Sequence, residues 1–562
     1  MSLFGSIKMG GNTLRAMQIG LHVVGNNIAN ANTPGYVRQE AIYTPAPVQR
    51  LGKLILGLGV EVEAIVQRID DFVVERLVGA RGDRANAEVQ EEVYREIEGI
   101  VNELSDVDLS SGLTTFFNAI HEIMSAPENL ATRNLAIRAG DSLTKLFNDV
   151  QSRVFRIREQ LDDRVVSSAD EINSLAEDIR LLNVQIATSE GGDVSGSDAG
   201  SLRVERQNAI DRLSEIAGIQ ISEQPSGGVN VSVGGEFLVF EGFRREVTVG
   251  TVEDGTGIVQ FADTQSPLKT TAGALHGLYT ARDEVATGFL DNLDALAGTL
   301  AFEFNKVYSQ GQGLVGFDSL TSVESVVDPD AALDAAGLAF TPVSGAFNVL
   351  IHNKDDNLTK EHVIHIDLQG FGDDTTLNDL AAQLNAIDGL AASVSSTGEL
   401  QLAAESSDVE FAFAGDTSGA LAALGLNTFF TGSTAGGLDV NTELKSNGAR
   451  FAASLGGIGE DAGNAERLAA FLDQPLDSAD GVTILDLYND ILNEITQGSA
   501  VAQSVADGFR VFEGSLEGQM QALSGVSIDE EAVKMITLQR IYQASAKYIQ
   551  TIAELLDVLV EL

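Results

Sequence analysis

The 562-residue chain contains no cysteine and no tryptophan. The absence of cysteine excludes disulfides, thiolate metal sites and cysteine nucleophiles, and it is compatible with a reducing cytosol or with an exported protein. Only nine prolines accompany 57 glycines, and so few prolines allow long uninterrupted helices. At roughly 150 residues per domain, the length indicates three or four domains.

Basic residues are also scarce, since 35 Lys and Arg stand against 82 Asp and Glu, a net charge of −47. Phosphate repels such a chain, so we expect neither nucleic-acid binding nor docking on anionic lipid. The uncharged stretches 16–37 and 417–438 are rich in Asn, Thr, Ser or Gly, so we expect no membrane insertion. The N-terminal residues do not have the pattern of a cleaved signal peptide.

Both ends of the chain carry the 3-4 spacing that is typical of a coiled coil. Near the N-terminus the spacing joins Ile7, Gly10, Leu14, Met17, Leu21, Val24 and Ile28. Near the C-terminus it joins Met535, Leu538, Tyr542, Ser545, Ile549, Ile552, Leu556 and Leu559. Segment 1–53 has a net charge of +4 and segment 529–562 a net charge of −3. Opposite charge favours pairing of these two helices over the alternative, separate packing on different domains.

A third heptad pattern, over 147–186, is longer and contains one extra step of four residues. It predicts about 45 helical residues, roughly 65 Å at 1.5 Å per residue. The periodicity also predicts helices over 88–104, 286–307 and 484–523, although two glycines weaken the last prediction.

Gly-rich segments with alternating apolar residues interrupt these helices. Segment 229–240 is typical of a hairpin, and 340–440 combines strand patterns with a helical stretch over 377–387. Segment 318–441 contains 19 acidic residues and two lysines, a net charge of −17. This composition predicts a separate acidic α+β module.

The predicted fold is mainly α with inserted β-rich modules, in an elongated multidomain chain. A terminal α-helical coiled-coil domain comprises 1–65 with 525–562. A helical rod domain comprises 66–218 with 272–317 and 445–524. A small β excursion occupies 219–271, and the acidic α+β outer module occupies 318–444.

Patterns that would indicate catalysis or metal binding are weak. His362 and His365 would lie on opposite faces of one strand, and the glycine-spaced run 311–316 follows a helix where a dinucleotide site needs a strand. The run 353–357 begins like a calcium loop, but Leu358 occupies the position that requires glycine. We therefore expect no catalytic residue, no cofactor and no metal.

The most specific run in the sequence is 25–39, GNNIANANTPGYVRQ. It resembles the N-terminal signature of bacterial flagellar axial proteins, the family of rod, hook and hook-associated proteins. Arg38 and Gln39 after Pro34-Gly35-Tyr36 resemble the hook-associated members more than the hook protein.

The resemblance extends over nearly the whole chain. At the C-terminus, 524–532 (SGVSIDEEA) and 539–547 (QRIYQASAK) are similar to the other end of the same family. Runs 273–278 and 427–432 are similar to its body, and 375–385 resembles a module inserted into flagellins and filament-cap proteins.

The resemblance implies a structural adaptor at the junction between flagellar hook and filament, required for filament assembly and motility. Its implied partners are identical copies in a ring, the hook protein, and the next hook-associated junction protein toward the filament. It implies secretion through the flagellar type III apparatus without a cleaved signal peptide, with an export chaperone at the C-terminal helix. The helical ends would form an inner tube and the acidic modules an outer surface.

The residues expected at subunit contacts belong to the signature and to the two heptad patterns: Asn26, Asn27, Ile28, Ala29, Asn30, Asn32, Thr33, Pro34, Gly35, Tyr36, Arg38, Gln39, Leu14, Met17, Leu21, Val24, Leu538, Tyr542, Ile549, Ile552, Leu556 and Leu559. From local chemistry alone, 26–36 is a helix stop followed by a structured loop. The alternatives are a hook or rod protein and, in a different class, a secreted hydrolase with coiled-coil stalks and an active site in 340–440.

Overall fold

The structure, a computed structural model, describes residues 3–51, 53–102, 108–191, 196–252, 255–370, 374–459 and 461–561. The chain divides into two compact units, each built from segments distant in sequence. Unit 1 comprises Met1–Glu92, Glu159–Arg282 and Ala500–Leu562, and unit 2 comprises Val93–Arg158 and Asp283–Ser499.

Long α-helices account for much of the described chain, as the scarcity of proline indicates. The helices are α1 (Leu3–Ala29), α2 (Asp71–Asn102), α3 (Leu109–Ser125), α4 (Leu130–Glu190), α5 (Gly200–Ile216), α6 (Ala274–Thr280), α7 (Thr287–Tyr308), α8 (Leu377–Asn385), α9 (Ala420–Leu424), α10 (Thr442–Ser446), α11 (Gly463–Ala470), α12 (Ile484–Ser524) and α13 (Ile528–Glu561). A π-helical segment, Ala281–Ala286, joins α6 to α7.

The strands are short, and their ladders are antiparallel. They are β1 (Gln39–Pro45), β2 (Gln49–Leu51), β3 (Leu54–Leu56), β4 (Val60–Gln67), β5 (Ile219–Glu223), β6 (Val229–Val233), β7 (Glu236–Phe240), β8 (Phe243–Arg244), β9 (Val247–Thr251), β10 (Gly257–Phe261), β11 (Ser319–Thr321), β12 (Gly345–Asn353), β13 (Leu358–Ile366), β14 (Leu390–Val394), β15 (Leu400–Ala404), β16 (Val409–Ala414), β17 (Phe430–Thr431) and β18 (Asp439–Val440). Near the N-terminus, β1 pairs with β4 and β2 pairs with β3.

In unit 1, buried polar groups attach a four-stranded sheet, in the order β5-β6-β7-β8, to α4. The Asn183 amide donates to the Val229 carbonyl over 2.8 Å and to the Glu241 carbonyl over 3.0 Å. Its oxygen accepts from the Val229 N–H over 3.0 Å and from Arg206 over 3.0 Å. Burial lowers the pKa of Arg206 to about 10, and these bonds offset part of that desolvation.

Unit 2 has an aromatic core in which helices and a distant loop meet. Phe116 of α3, Phe304 of α7 and Phe429 have ring centroids 5.1 to 5.5 Å apart. Phe430 packs on the same group, and Tyr308 is fully buried beside it, with its hydroxyl accepting the Ala452 N–H. Such aromatic contacts contribute beyond the buried area alone.

The acidic segment of unit 2 forms two three-stranded sheets, in the orders β13-β12-β16 and β11-β15-β14. Helix α8 begins with a capping box, in which Thr376 and Asp379 each bond the other's backbone. The buried residues that fill this core include Phe347, Val349, Ile351, Leu380, Leu384, Phe411 and Phe413.

The predicted fold class, mainly α with inserted β-rich modules, is confirmed. Some bounds were wrong: the helix expected over 147–186 is α4, which runs from Leu130 to Glu190, and the helix expected over 88–104 begins at Asp71. Residues 103 and 104 of that prediction lie outside the described residues. Strands β1–β4 were not predicted. The four-part domain division remains a prediction.

Candidate assembly site

Helices α1 and α13 from opposite ends of the chain lie antiparallel in unit 1. The direction follows from two contacts, because Gly10 lies beside Ile549 whereas Gly20 lies beside Leu538. A side-chain carbon on Gly10 would lie 2.6 Å from Cγ1 of Ile549, and one on Gly20 would lie 3.2 Å from Cδ1 of Leu538. The two glycines therefore allow the helices to approach closely.

The signature folds around one buried asparagine, Asn27, whose exposed fraction is 1%. Its oxygen accepts the Tyr36 hydroxyl and the Gln39 N–H, each over 3.0 Å. Its amide donates to the Gln39 carbonyl over 2.9 Å and to the Glu531 carboxylate over 3.0 Å. The three bonds to Tyr36 and Gln39 close a loop on the end of α1, and the bond to Glu531 attaches that loop to α13.

Arg38 completes this attachment. Its Nη2 lies 2.8 Å from Glu531 Oε1 and 3.2 Å from Glu530 Oε2. The backbone N–H of Arg38 also donates to the carbonyl of Ser524, the last residue of α12, over 3.0 Å. The Glu531 side chain is only 1% exposed. Although burial opposes ionisation, hydrogen bonds from Asn27 and Arg38 hold the pKa of Glu531 below its ordinary value.

The turn between Asn27 and Arg38 is stabilised within the chain. The Asn30 amide donates to the Asn26 side chain over 2.9 Å, and the Tyr36 N–H donates to the Thr33 carbonyl over 3.1 Å. Gly35 has φ +72°, and a side-chain carbon there would collide with Asn208 of α5. The pKa of Tyr36 is raised, mainly because the side chain is partly buried and to a smaller extent because of the negative charge of Glu531.

The structure brings most of the predicted site residues together in unit 1. On α1, Met17 and Val24 are buried and Leu14, Leu21 and Ile28 are half-buried; on α13, Ile552 is buried. The remaining half-buried residues are Asn26, Asn30, Tyr36, Arg38, Gln39, Leu538, Ile549 and Leu556. The exposed residues are Ala29, Asn32, Thr33, Pro34, Gly35 and Tyr542. The side chain of Leu559 lies outside the described residues.

Sequence reasoning missed two parts of this site. Glu531 was noted as an acidic residue and as part of the run 524–532, but its role as the buried partner of Asn27 and Arg38 was not predicted. A second buried stripe on α1, Ala16, Gly20 and Val23, was also missed. The helical spacing of these small residues could have predicted a second packed face on α1.

On its outer side, α13 exposes a row of apolar side chains. The row consists of Val533, Ile536, Ile541, Tyr548, Leu555 and Val558. A helix with apolar residues on two sides needs a partner on each, and α1 covers only one of them.

One cavity of unit 1, about 400 Å³, is lined by both charged and apolar side chains. Its arginines are paired with carboxylates; for example, Arg212 Nε lies 2.7 Å from Glu171 and Arg164 Nη1 lies 3.0 Å from Glu92. The described residues contain no group of three or more His, Cys, Asp or Glu side chains placed to bind a metal. In the same residues, none of the helices has both the length and the apolar character of a membrane span.

Three family models match the chain. Flagellar hook-associated protein FlgK helical domain matches residues 94–319. Flagella basal body rod protein matches 7–36, and Flagellar basal body rod FlgEFG protein C-terminal matches 517–562. The two terminal matches contain the paired helices and the signature.

Several proteins named flagellar hook-associated protein 1 are similar to this chain. That of Bacillus subtilis is 24% identical over 566 residues, covering 99% of this chain and 97% of that protein. That of Escherichia coli is 24% identical, with 98% of each chain covered. That of Salmonella typhimurium is 26% identical over 311 residues, 53% of this chain and 55% of that protein.

A solved structure has the same fold. It is that of the flagellar hook junction protein FlgK from Burkholderia pseudomallei, with a TM-score of 0.50 at 13% identity, covering 80% of this chain and 100% of that one. The matched helical domain lies between matches at both ends, and the similarity to two relatives spans nearly their full length. The similarity to proteins named flagellar hook-associated protein 1 therefore extends over nearly the whole chain.

Proposed function

We propose that this chain is a structural subunit of the bacterial flagellum and forms the adaptor ring that joins hook to filament. The observation that carries the proposal is the two-sided α13. One side is fixed to α1 by Glu531 and its partners, and the other exposes six large apolar side chains. In a ring of identical copies, neighbouring subunits cover that outer row.

The row is large enough to drive association. Fully burying one large aliphatic side chain is worth roughly 1.5–3 kcal/mol, so even partial burial of six favours an assembled state. The hook protein on one side and the next hook-associated junction protein toward the filament on the other are the further partners. The name of the helical-domain family supports this placement.

Export belongs to the same proposal. The subunit leaves the cell through the flagellar type III apparatus without a cleaved signal peptide. An export chaperone covers the outer row of α13 in the cytosol, because that row would otherwise cause premature association. The apolar side chains that the chaperone covers are the ones that neighbouring subunits cover after export.

The test is electron microscopy of cells lacking this chain. We expect hooks without filaments, and filament protein shed into the medium. Normal filaments would overturn the proposal, whereas loss of the hook as well would favour the hook-or-rod alternative, whose family models match the two ends.

Complementation connects this phenotype to the outer row of α13. Ile536→Asp should fail to restore filaments, because it places a charge within the row. Gln539→Asp is the matched control on an exposed position of the same helix, and it should restore them. Equal rescue by both variants would show that the row is not a subunit contact.

A further inference from the structure

At the end of unit 1 where α1 begins, a hairpin exposes apolar side chains. Strands β2 and β3 pair there, and Gln49 lies beside Gly5 of α1. The large apolar side chains exposed at this end include Phe4, Val48, Leu54 and Ile55. Ile55 is 70% exposed and Phe4 is 77% exposed. An isolated two-stranded hairpin is marginal in water, so this exposure indicates that a further surface covers it.

The C-terminal part of α13 lies at the same end, because α13 is antiparallel to α1. Leu555 is 49% exposed and Val558 is 56% exposed, whereas Ile552, which faces inward, is 9% exposed. Two exposed carboxylates, Glu554 and Asp557, stand next to this apolar pair. We call these four outer residues the acidic patch.

The hairpin carries the opposite charge. Lys53 is exposed between the strands, and Lys8 is exposed on the neighbouring turn of α1. In a chain of net charge −47, these two lysines give the hairpin end a basic character. We call Lys8, Val48, Lys53, Leu54 and Ile55 the hairpin patch.

The two patches lie on different faces of α1. Toward the hairpin, the Asn12 amide donates to the Leu58 carbonyl over 3.0 Å, and Met9 contacts Gly59. Toward α13, the contact is Gly10 with Ile549. One copy therefore presents a basic apolar face and an acidic apolar face at the same end of the unit. Contacts between two unlike faces of identical copies close into rings when the rotation permits.

We propose that the hairpin patch of one copy docks on the acidic patch of the next copy. The inference rests on the proposed function, since it specifies the contact by which the ring closes. Burial of Leu54, Ile55, Leu555 and Val558 supplies the attraction. The lysine and carboxylate pairs orient the copies and prevent pairing of like faces. Exposed charges are screened by salt, so association weakens as the salt concentration rises.

The direct test is disulfide cross-linking, which is unambiguous because the chain has no cysteine. Lys53→Cys and Asp557→Cys are placed in separate full-length chains and co-expressed in cells that lack the natural protein. Oxidation of isolated flagella should give a cross-linked dimer. Either variant expressed alone should not, because two hairpin patches or two acidic patches do not meet. Incorporation of both chains into motile flagella without any dimer would overturn the proposal.

Charge reversal is the second test. Lys8→Glu with Lys53→Glu should lower the number of filament-bearing cells about tenfold, and Glu554→Lys with Asp557→Lys should do the same. Combining all four substitutions should restore most filaments, since the charges are again complementary. These positions are exposed, so circular dichroism should show a folded protein in each case.

Different results would contradict the hairpin contact and the ring function. If neither pair of substitutions changes filament number, or if the combination is no better than its parts, the hairpin contact is wrong while the ring function stands. If the unaltered chain itself is absent from the junction of intact flagella, the proposed function fails with it.

Discussion

Glu531 is the residue on which the two ends of the chain converge. A buried carboxylate is costly unless it is paired and hydrogen-bonded, and Asn27 and Arg38 supply both requirements. Because the folded-state pKa is depressed, the ionised carboxylate stabilises the fold above the pKa of the unfolded chain. That stabilisation is lost as the pH falls through the folded-state pKa, below the ordinary value of 4.5.

Glu531→Gln should therefore loosen α13 by about 2–3 kcal/mol at neutral pH. The measurement is the opening free energy of α13 from hydrogen exchange. The difference from the natural protein should shrink as the pH falls below about 4.5 and through the lower folded-state pKa, where the natural carboxylate becomes protonated. Glu530→Gln is the control: its side chain is 63% exposed, so the loss should stay below about 1 kcal/mol. Equal losses in both variants would contradict this account.

Gly35 is constrained within its own chain. A side chain there is strained by φ +72° and would also meet Asn208, so Gly35→Ala should cost about 1–3 kcal/mol. Adding Asn208→Ala should recover the loss of stability that comes from the collision and leave the loss that comes from the strained φ.

Gly25→Ala, where a side-chain carbon has open space, should instead stabilise α1 by about 0.5–1 kcal/mol. Urea unfolding of the three variants gives these values; destabilisation by Gly25→Ala would refute the argument.

At the scale of elements, the heptad spacing predicted α1 and α13 but only part of their burial. Positions Met17 and Val24 of the predicted pattern are buried, but so are Ala16 and Val23 beside them. The reason is that α1 also packs against β1 and β4, a contact that periodicity on one helix does not reveal. A bulge in the β1–β4 pair, where Glu63 lies between the partners of Ile42 and Tyr43, is a further feature that no single-strand pattern reveals.

Helix α12 contains glycines that weakened its prediction, and the structure separates their roles. A side-chain carbon on Gly498 would collide with the Tyr94 ring, whereas one on Gly508 would meet nothing within 4 Å. Gly508→Ala should thus stabilise the monomer by about 0.5–1 kcal/mol, and Gly498→Ala should destabilise it by about 1 kcal/mol or more, despite the better helix propensity. Thermal unfolding followed by circular dichroism distinguishes the two. A gain of stability in both would mean that the Tyr94 ring moves aside at no cost.

At the scale of the whole molecule, local patterns could not reveal contacts between distant segments. Asn27 and Glu531 are 504 positions apart, and no periodicity joins them. The Phe429-Phe430 pair presents the same problem. Its segment was predicted to belong to the acidic outer module, yet both rings pack with Phe116 and Phe304 among the helices. A deletion of the acidic module therefore leaves the aromatic core of unit 2 intact only if it ends before Phe429.

Two deletions test this division. The Val323 N–H lies 3.4 Å from the Gly425 carbonyl, so a short Gly/Ser bridge can replace 324–424 without moving either end. We expect that deletion to leave the helical core folded, and to leave at least partial motility if the module lies on the outside of the assembly.

Extending the deletion to 438 also removes Phe429 and Phe430, each fully buried or nearly so. Loss of one large buried aromatic side chain costs about 3–5 kcal/mol, so the longer deletion should unfold unit 2 and abolish motility. Circular dichroism of the secreted proteins and swimming assays measure the two effects. Complete loss of assembly by the shorter deletion, with the protein folded and exported, would show that the acidic module is itself part of the junction.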